Sequence, residues 1–158
     1  MEPTQIPTLY DWVGGIERIE ALFMMFYERI PADPILGPVF AAMPPEHFRT
    51  VAHFVAEVLG GPKFYSGDGT HSHATMIAKH LGRHLTNEQR VRWMTLLVDT
   101  ADQLKLPEDP EFRSALVGYL EWGSRIAVLN SATTENPIEK SAPMPKWGWG
   151  ETKGPYRP

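Results

Sequence analysis

Apolar residues return at every third or fourth position through most of the chain. Ile16, Ile19, Phe23, Phe26, Tyr27 and Ile30 keep that spacing, which predicts one face of an α-helix. Gly14 and Gly15 stand before it and Pro31 ends it. The stretch "DPILGPVF" (33–40) holds two prolines and a glycine, so it allows only a short turn of helix. Pro44 and Pro45 suit the next helix start, where a missing N–H matters little. Phe48, Val51, Ala52, Val55, Val58 and Leu59 then recur at three and four, and "GGP" (60–62) supplies a glycine stop followed by proline. A glycine-rich loop over 63–72 leads to a helix near 73–84. Thr86 and Gln89 form a capping-box pair for another, with Val91, Met94, Leu97, Val98, Ala101 and Leu104 on its face. Asp109 and Pro110 open the last, marked by Leu116, Tyr119, Leu120, Gly123, Ile126 and Ala127. No segment alternates apolar and polar between hairpin turns, so the fold class is all-α.

Residues 132–158 break the pattern. They are rich in proline, glycine and small polar residues and contain "PKWGWG" (145–150), a composition that builds no core of its own. The two tryptophans there need a surface, so the tail is expected to lie against the domain or a neighbour. With 158 residues the chain fits one domain, and 42% hydrophobic against 22% charged residues allows a core with a charged exterior. The net charge of −4 disfavours nucleic acid as a partner. Cysteine is absent, which removes disulfides and thiolate metal sites. "MEPTQIPTLYDW" has neither the basic nor the apolar part of a signal peptide, and the longest apolar run, "ALFMMFY" (21–27), is too short to span a bilayer. A cytoplasmic location with no membrane partner is the expectation.

The candidate chemistry lies in the histidines. His73, Met76, Ile77, His80, Leu81 and His84 would share one broad face of a continuous helix, since each residue advances about 100°. Three readings fit imidazoles on such a face. They pack as core residues with one ring nitrogen on a carbonyl, the His80/His84 pair chelates a metal, or a single imidazole serves as axial ligand to haem iron. A chelate needs further donors, and neither a nearby carboxylate of suitable spacing nor an HExxH motif is present. An axial ligand needs greasy walls, and seven Phe, five Tyr and five Trp can supply them.

From about Thr8 to Ser131 the chain resembles the truncated (two-over-two) haemoglobins of group II. The resemblance rests on "LYDWVGG" (9–15), "FY" (26–27), "DPILGPVF" (33–40), "GGPKFY" (60–65), "KHLGRHLTNEQRVRW" (79–93) and "YLEWGSRIAVLNS" (119–131). Most specific is GGP, then a histidine, then a tryptophan thirteen positions after that histidine. The resemblance implies a globin domain over 8–131, a two-over-two helical sandwich around haem b (heme b, iron protoporphyrin IX), with 132–158 as an extension outside the pattern. His80 matches the proximal histidine, the one metal ligand, which makes His84 a packed or propionate-side neighbour. Tyr27 and Trp93 match the distal donors, and Phe40 matches the aromatic against the haem face, where some relatives have tyrosine. His47 falls at the distal gate, with Val51 and Phe54 lining the pocket. Tyr65, Met76 and Leu85 complete the cofactor-binding set, and Lys79 and Arg83 offer charge to the haem propionates.

What such a site implies is reversible binding of O2, with slow release because two donors hold it, and of CO, NO or peroxide. Turnover as an NO dioxygenase or peroxidase-like enzyme would need an external reductase, because no flavin or nicotinamide motif is present. A homodimer is compatible with the sequence. From a different class, a haem-free helical interaction domain using the tryptophan-rich tail accounts for the same helices.

Overall fold

The computed structural model describes residues 5–156, and they contain six α-helices and no strand. The leader-free reading of residues 1–4 lies outside this range. The helices are α1 (Leu9–Val13), α2 (Ile16–Arg29), α3 (His47–Val58), α4 (His73–Ala78), α5 (Asn87–Gln103) and α6 (Pro110–Ser131). α2 packs on α3 and α5 on α6, and α2 also lies against α5, so two helix pairs enclose one core. Phe23, Phe26, Leu97 and Phe112 are wholly buried in it. No helix is long and apolar enough to cross a membrane among the described residues.

Local chemistry sets most helix ends. Thr86 and Gln89 exchange side-chain and backbone bonds at the start of α5, and Asp109 caps α6 with Pro110 in the first turn. The short α1, which lacks an apolar repeat long enough to signal it, starts on a box between Thr8 and Asp11. α3 stops at glycines that the packing requires. Gly60 has φ +101°, and a Cβ there would stand 2.9 Å from Thr8 Cβ.

The predicted helix over 73–84 ends early. α4 stops at Ala78, Gly82 takes φ 72°, and His84 takes φ 52°. The backbone N–H groups that would continue the helix turn elsewhere: Gly82 donates to Thr133 and His84 to Ser131, at 2.8 and 3.0 Å. His80 and His84 therefore do not share a helical face. His84 is exposed rather than packed.

Asp33 fixes the turn that carries Phe40. Its buried carboxylate accepts from the N–H groups of Ile35 and Leu36 at 3.0 and 2.9 Å and from Arg92 on α5. Burial alone would raise its pKa, but the Leu36 N–H, Arg92 and the Ile35 N–H together hold it below the usual value. The stability it contributes is present above the unfolded carboxyl's ordinary pKa and is lost as pH falls through the folded value. Asp33→Ala is expected to cost about 2 kcal/mol in urea unfolding at neutral pH and to flatten the acid side of the stability curve. A variant within about 0.5 kcal/mol of wild type would show the turn is held by other contacts.

Candidate functional site

A large cleft opens between the two helix pairs, enclosing about 1360 Å³ with its solvent mouth included. Its wall is mainly apolar, with Phe23, Leu36, Val51, Phe54 and Ile77 among the lining residues. Of the twelve cofactor-binding positions expected from sequence, eleven line it: Tyr27, Phe40, His47, Val51, Phe54, Met76, Lys79, His80, Arg83, Leu85 and Trp93. Tyr65 does not. It stands behind the wall, edge-on to Phe54 at 5.1 Å, with its hydroxyl bonded to Thr75 at 2.9 Å.

His80 is placed by the turn that follows α4. Its Nδ1 lies 3.0 Å from the Met76 carbonyl. A carbonyl only accepts, so Nδ1 carries the proton and Nε2 keeps a free lone pair. Burial holds its pKa below the usual value, helped by the charges of Arg83 and Lys79 and opposed by the Met76 bond. The ring is thus a neutral imidazole with one nitrogen anchored and the other available. Among the described residues no three of His, Asp and Glu gather as a metal cluster. An imidazole with one nitrogen anchored and the other free on an apolar cleft suits axial ligation to a planar cofactor's metal, not a tetrahedral all-protein site.

α2 and α5 bring two donors to the same cleft. Tyr27 packs edge-on against Phe26, Phe40 and His47, with ring centroids 5.1, 5.5 and 5.1 Å away. Its hydroxyl has no hydrogen-bond partner among the described residues, and burial pushes its pKa well above the usual tyrosine value, so it stays a donor. Trp93 packs edge-on to Phe26 at 6.1 Å, and its indole N–H is likewise without a partner among the described residues. Neither donor is fully buried, so both are open to a polar ligand that enters the cleft. Near the mouth, burial and then the neighbouring Lys79, His80 and Arg83 hold His47 below its ordinary pKa. Lys79 and Arg83 are exposed there, a cationic rim on an otherwise apolar cleft.

The cleft also contains residues that the sequence reading did not assign to it. His73, Arg90, Tyr119 and Trp122 line it. His73 shares the predicted face with His80, Tyr119 belongs to the apolar stripe of the last predicted helix, and Trp122 lies in "YLEWGSRIAVLNS". Arg90 is buried and bridges α5 to Glu121 on α6 at 2.8 Å.

Residues 8–122 match the family model described as bacterial-like globin. A group 2 truncated haemoglobin of Bacillus subtilis is 34% identical over 111 residues, covering 70% of this chain and 81% of its own length. Among solved structures, the group II truncated haemoglobin of Bacillus anthracis aligns with a TM-score of 0.70 at 25% identity, covering 87% of this chain and 98% of that one. The truncated oxygen-avid haemoglobin of Bacillus subtilis aligns with a TM-score of 0.67 at 33% identity, covering 77% and 99%.

Proposed function

The chain belongs to the bacterial-like globins, in the group II truncated haemoglobin branch, and from that membership we propose that it holds O2 reversibly at a haem ligated by His80. Haem is the cofactor of this family, and the cleft's chemistry fits it. The observation that carries the reading is His80, its Nδ1 fixed on the Met76 carbonyl and its Nε2 free, lining one cleft with the unpartnered donors of Tyr27 and Trp93. When bound, haem supplies an iron with one position left open to a diatomic ligand.

The remaining chemistry belongs to the protein. Met76 fixes the His80 tautomer and orients the ring, the usual task of a second partner behind a metal-ligating histidine. Phe23, Phe40, Val51 and Phe54 exclude water from the cleft, which strengthens each polar contact inside it. Tyr27 and Trp93 donate to the outer atom of O2, which is more negative than that of CO, so they favour O2 over CO and slow its release. Lys79 and Arg83 supply positive charge at the mouth for the cofactor's carboxylates.

Adding hemin to the purified protein and reducing it under argon, then titrating O2, tests the reading. A Soret band that forms stoichiometrically and shifts reversibly with O2 is the expected result. A protein that gains no Soret band sinks it and leaves the helical interaction domain. Rapid loss of added NO from the oxygenated protein, with nitrate formed in step, would shift the reading to NO detoxification supported by an external reductase.

A further inference from the structure

The segment that presents His80 has little of its own to hold it. α4 is six residues long, far short of a helix that is stable alone in water. Beyond it the chain turns through two positive-φ residues, Gly82 and His84. The fastenings come from the far end of the chain. Ser131 accepts the His84 N–H with its carbonyl at 3.0 Å and the Leu85 N–H with its hydroxyl at 2.9 Å. The Thr133 carbonyl accepts the Gly82 N–H at 2.8 Å. The Asn136 amide donates to the Ala74 carbonyl, inside α4, at 2.9 Å. These bonds land on both sides of His80.

The chain then crosses to the other wall of the cleft. The Trp147 ring lies 5.7 Å from Trp122 and 6.0 Å from Tyr119, both of which line the cleft. It fits against Gly118, where a Cβ would come within 3.4 Å of it. The Trp147 N–H donates to Val58 at 2.9 Å, and the Trp149 indole donates to Pro7 at 2.7 Å. Every one of these donors and acceptors on the C-terminal side lies beyond residue 122, where the family match ends.

Resting on the haem-binding reading, we propose that residues 131–149 form a strap that ties the His80 segment to the Tyr119/Trp122 wall and thereby governs how firmly the cofactor is retained. A tail serving only general stability would spread its bonds over the core. Here four bonds, two from Ser131 at the end of α6 and one each from Thr133 and Asn136, fall on the twelve residues Ala74 to Leu85, which carry the ligand and have no helix stable on its own. Asn136, Thr133 and Ser131 are positioning residues that act through that backbone, and Trp147 anchors the other end.

The test compares wild type, Asn136→Ala, Trp147→Ala and a chain ending at Thr134, each loaded with hemin. Three measurements are made: haem transfer to an excess of apo-globin acceptor, the iron–imidazole stretch of the ferrous protein by resonance Raman, and urea unfolding of the hemin-free protein. Asn136→Ala is expected to speed haem loss about fivefold, the worth of one neutral hydrogen bond, and to broaden the iron–imidazole band. The shortened chain is expected to exceed tenfold, and if it does not fold the two point variants decide. Haem loss and band unchanged in both point variants, with only the urea midpoint lowered, would overturn the strap and leave the tail a structural appendage. Should the full-length protein itself take no haem, both this proposal and the reading it rests on fall.

Discussion

His80→Gly is expected to abolish the five-coordinate ferrous spectrum while leaving the fold in place. His80 lies in the turn after α4, half-buried, and among the described residues its ring's single hydrogen bond is to the Met76 carbonyl. Removing the ring therefore withdraws no core packing, and the helical circular dichroism should be unchanged. What is withdrawn is the only imidazole in this stretch with one nitrogen anchored and the other free toward the cleft. Losing a contact that merely supports a metal ligand costs roughly 10–100-fold in affinity. Losing the ligand itself should exceed that, so hemin affinity is expected to fall more than about a hundredfold. Free imidazole should restore the spectrum, because glycine leaves the space the ring occupied. His84→Gly is the matched control. His84 is exposed, does not line the cleft and has φ 52°, a conformation glycine adopts freely. Its spectrum should be that of wild type, with stability within about 1 kcal/mol. If His84→Gly lost the spectrum and His80→Gly kept it, the assignment of the ligand would be wrong.

The contrast between those two histidines also shows where sequence reasoning succeeds and where it stops. Signals carried by neighbours in the chain were legible. Thr86 with Gln89, and Asp109 with Pro110, give the starts of α5 and α6 because the partners are three or fewer residues apart. The overrun of α4 has the opposite cause. Apolar spacing continues smoothly through Leu81, but the N–H groups of Gly82 and His84 go to Thr133 and Ser131. Nothing within a helical window of residue 80 announces a partner some fifty positions away. Tyr65 fails for a similar reason. Its place in "GGPKFY" puts it near the cleft, and only the structure shows its hydroxyl already taken by Thr75. The tail's composition shows that its tryptophans need a surface, but not that the surface is Tyr119 and Trp122.

Removing the distal donors should produce the second large effect, and it separates their roles from their packing. Tyr27→Phe keeps the ring that meets Phe26, Phe40 and His47 and deletes one unpartnered hydroxyl. Nothing in the protein loses a hydrogen bond among the described residues, so the stability of the folded state should stay within about 0.5 kcal/mol of wild type. O2 release, in contrast, should accelerate. A hydrogen bond is worth about 1–1.5 kcal/mol net, and 1.4 kcal/mol is tenfold, so the dissociation rate is expected to rise about tenfold. Trp93→Phe removes the indole N–H with a similar consequence for O2. It also trims the edge-on contact with Phe26 at 6.1 Å, so a stability loss of about 1 kcal/mol should accompany it. The double variant tests whether the donors act independently. Separate bonds predict about a hundredfold, whereas two donors sharing one oxygen predict less, because each partly covers for the other. CO release should move far less in all three, since its outer atom draws little from either donor. Stopped-flow ligand replacement measures both rates on the same samples. O2 release within twofold of wild type in the double variant would mean that neither group touches the ligand.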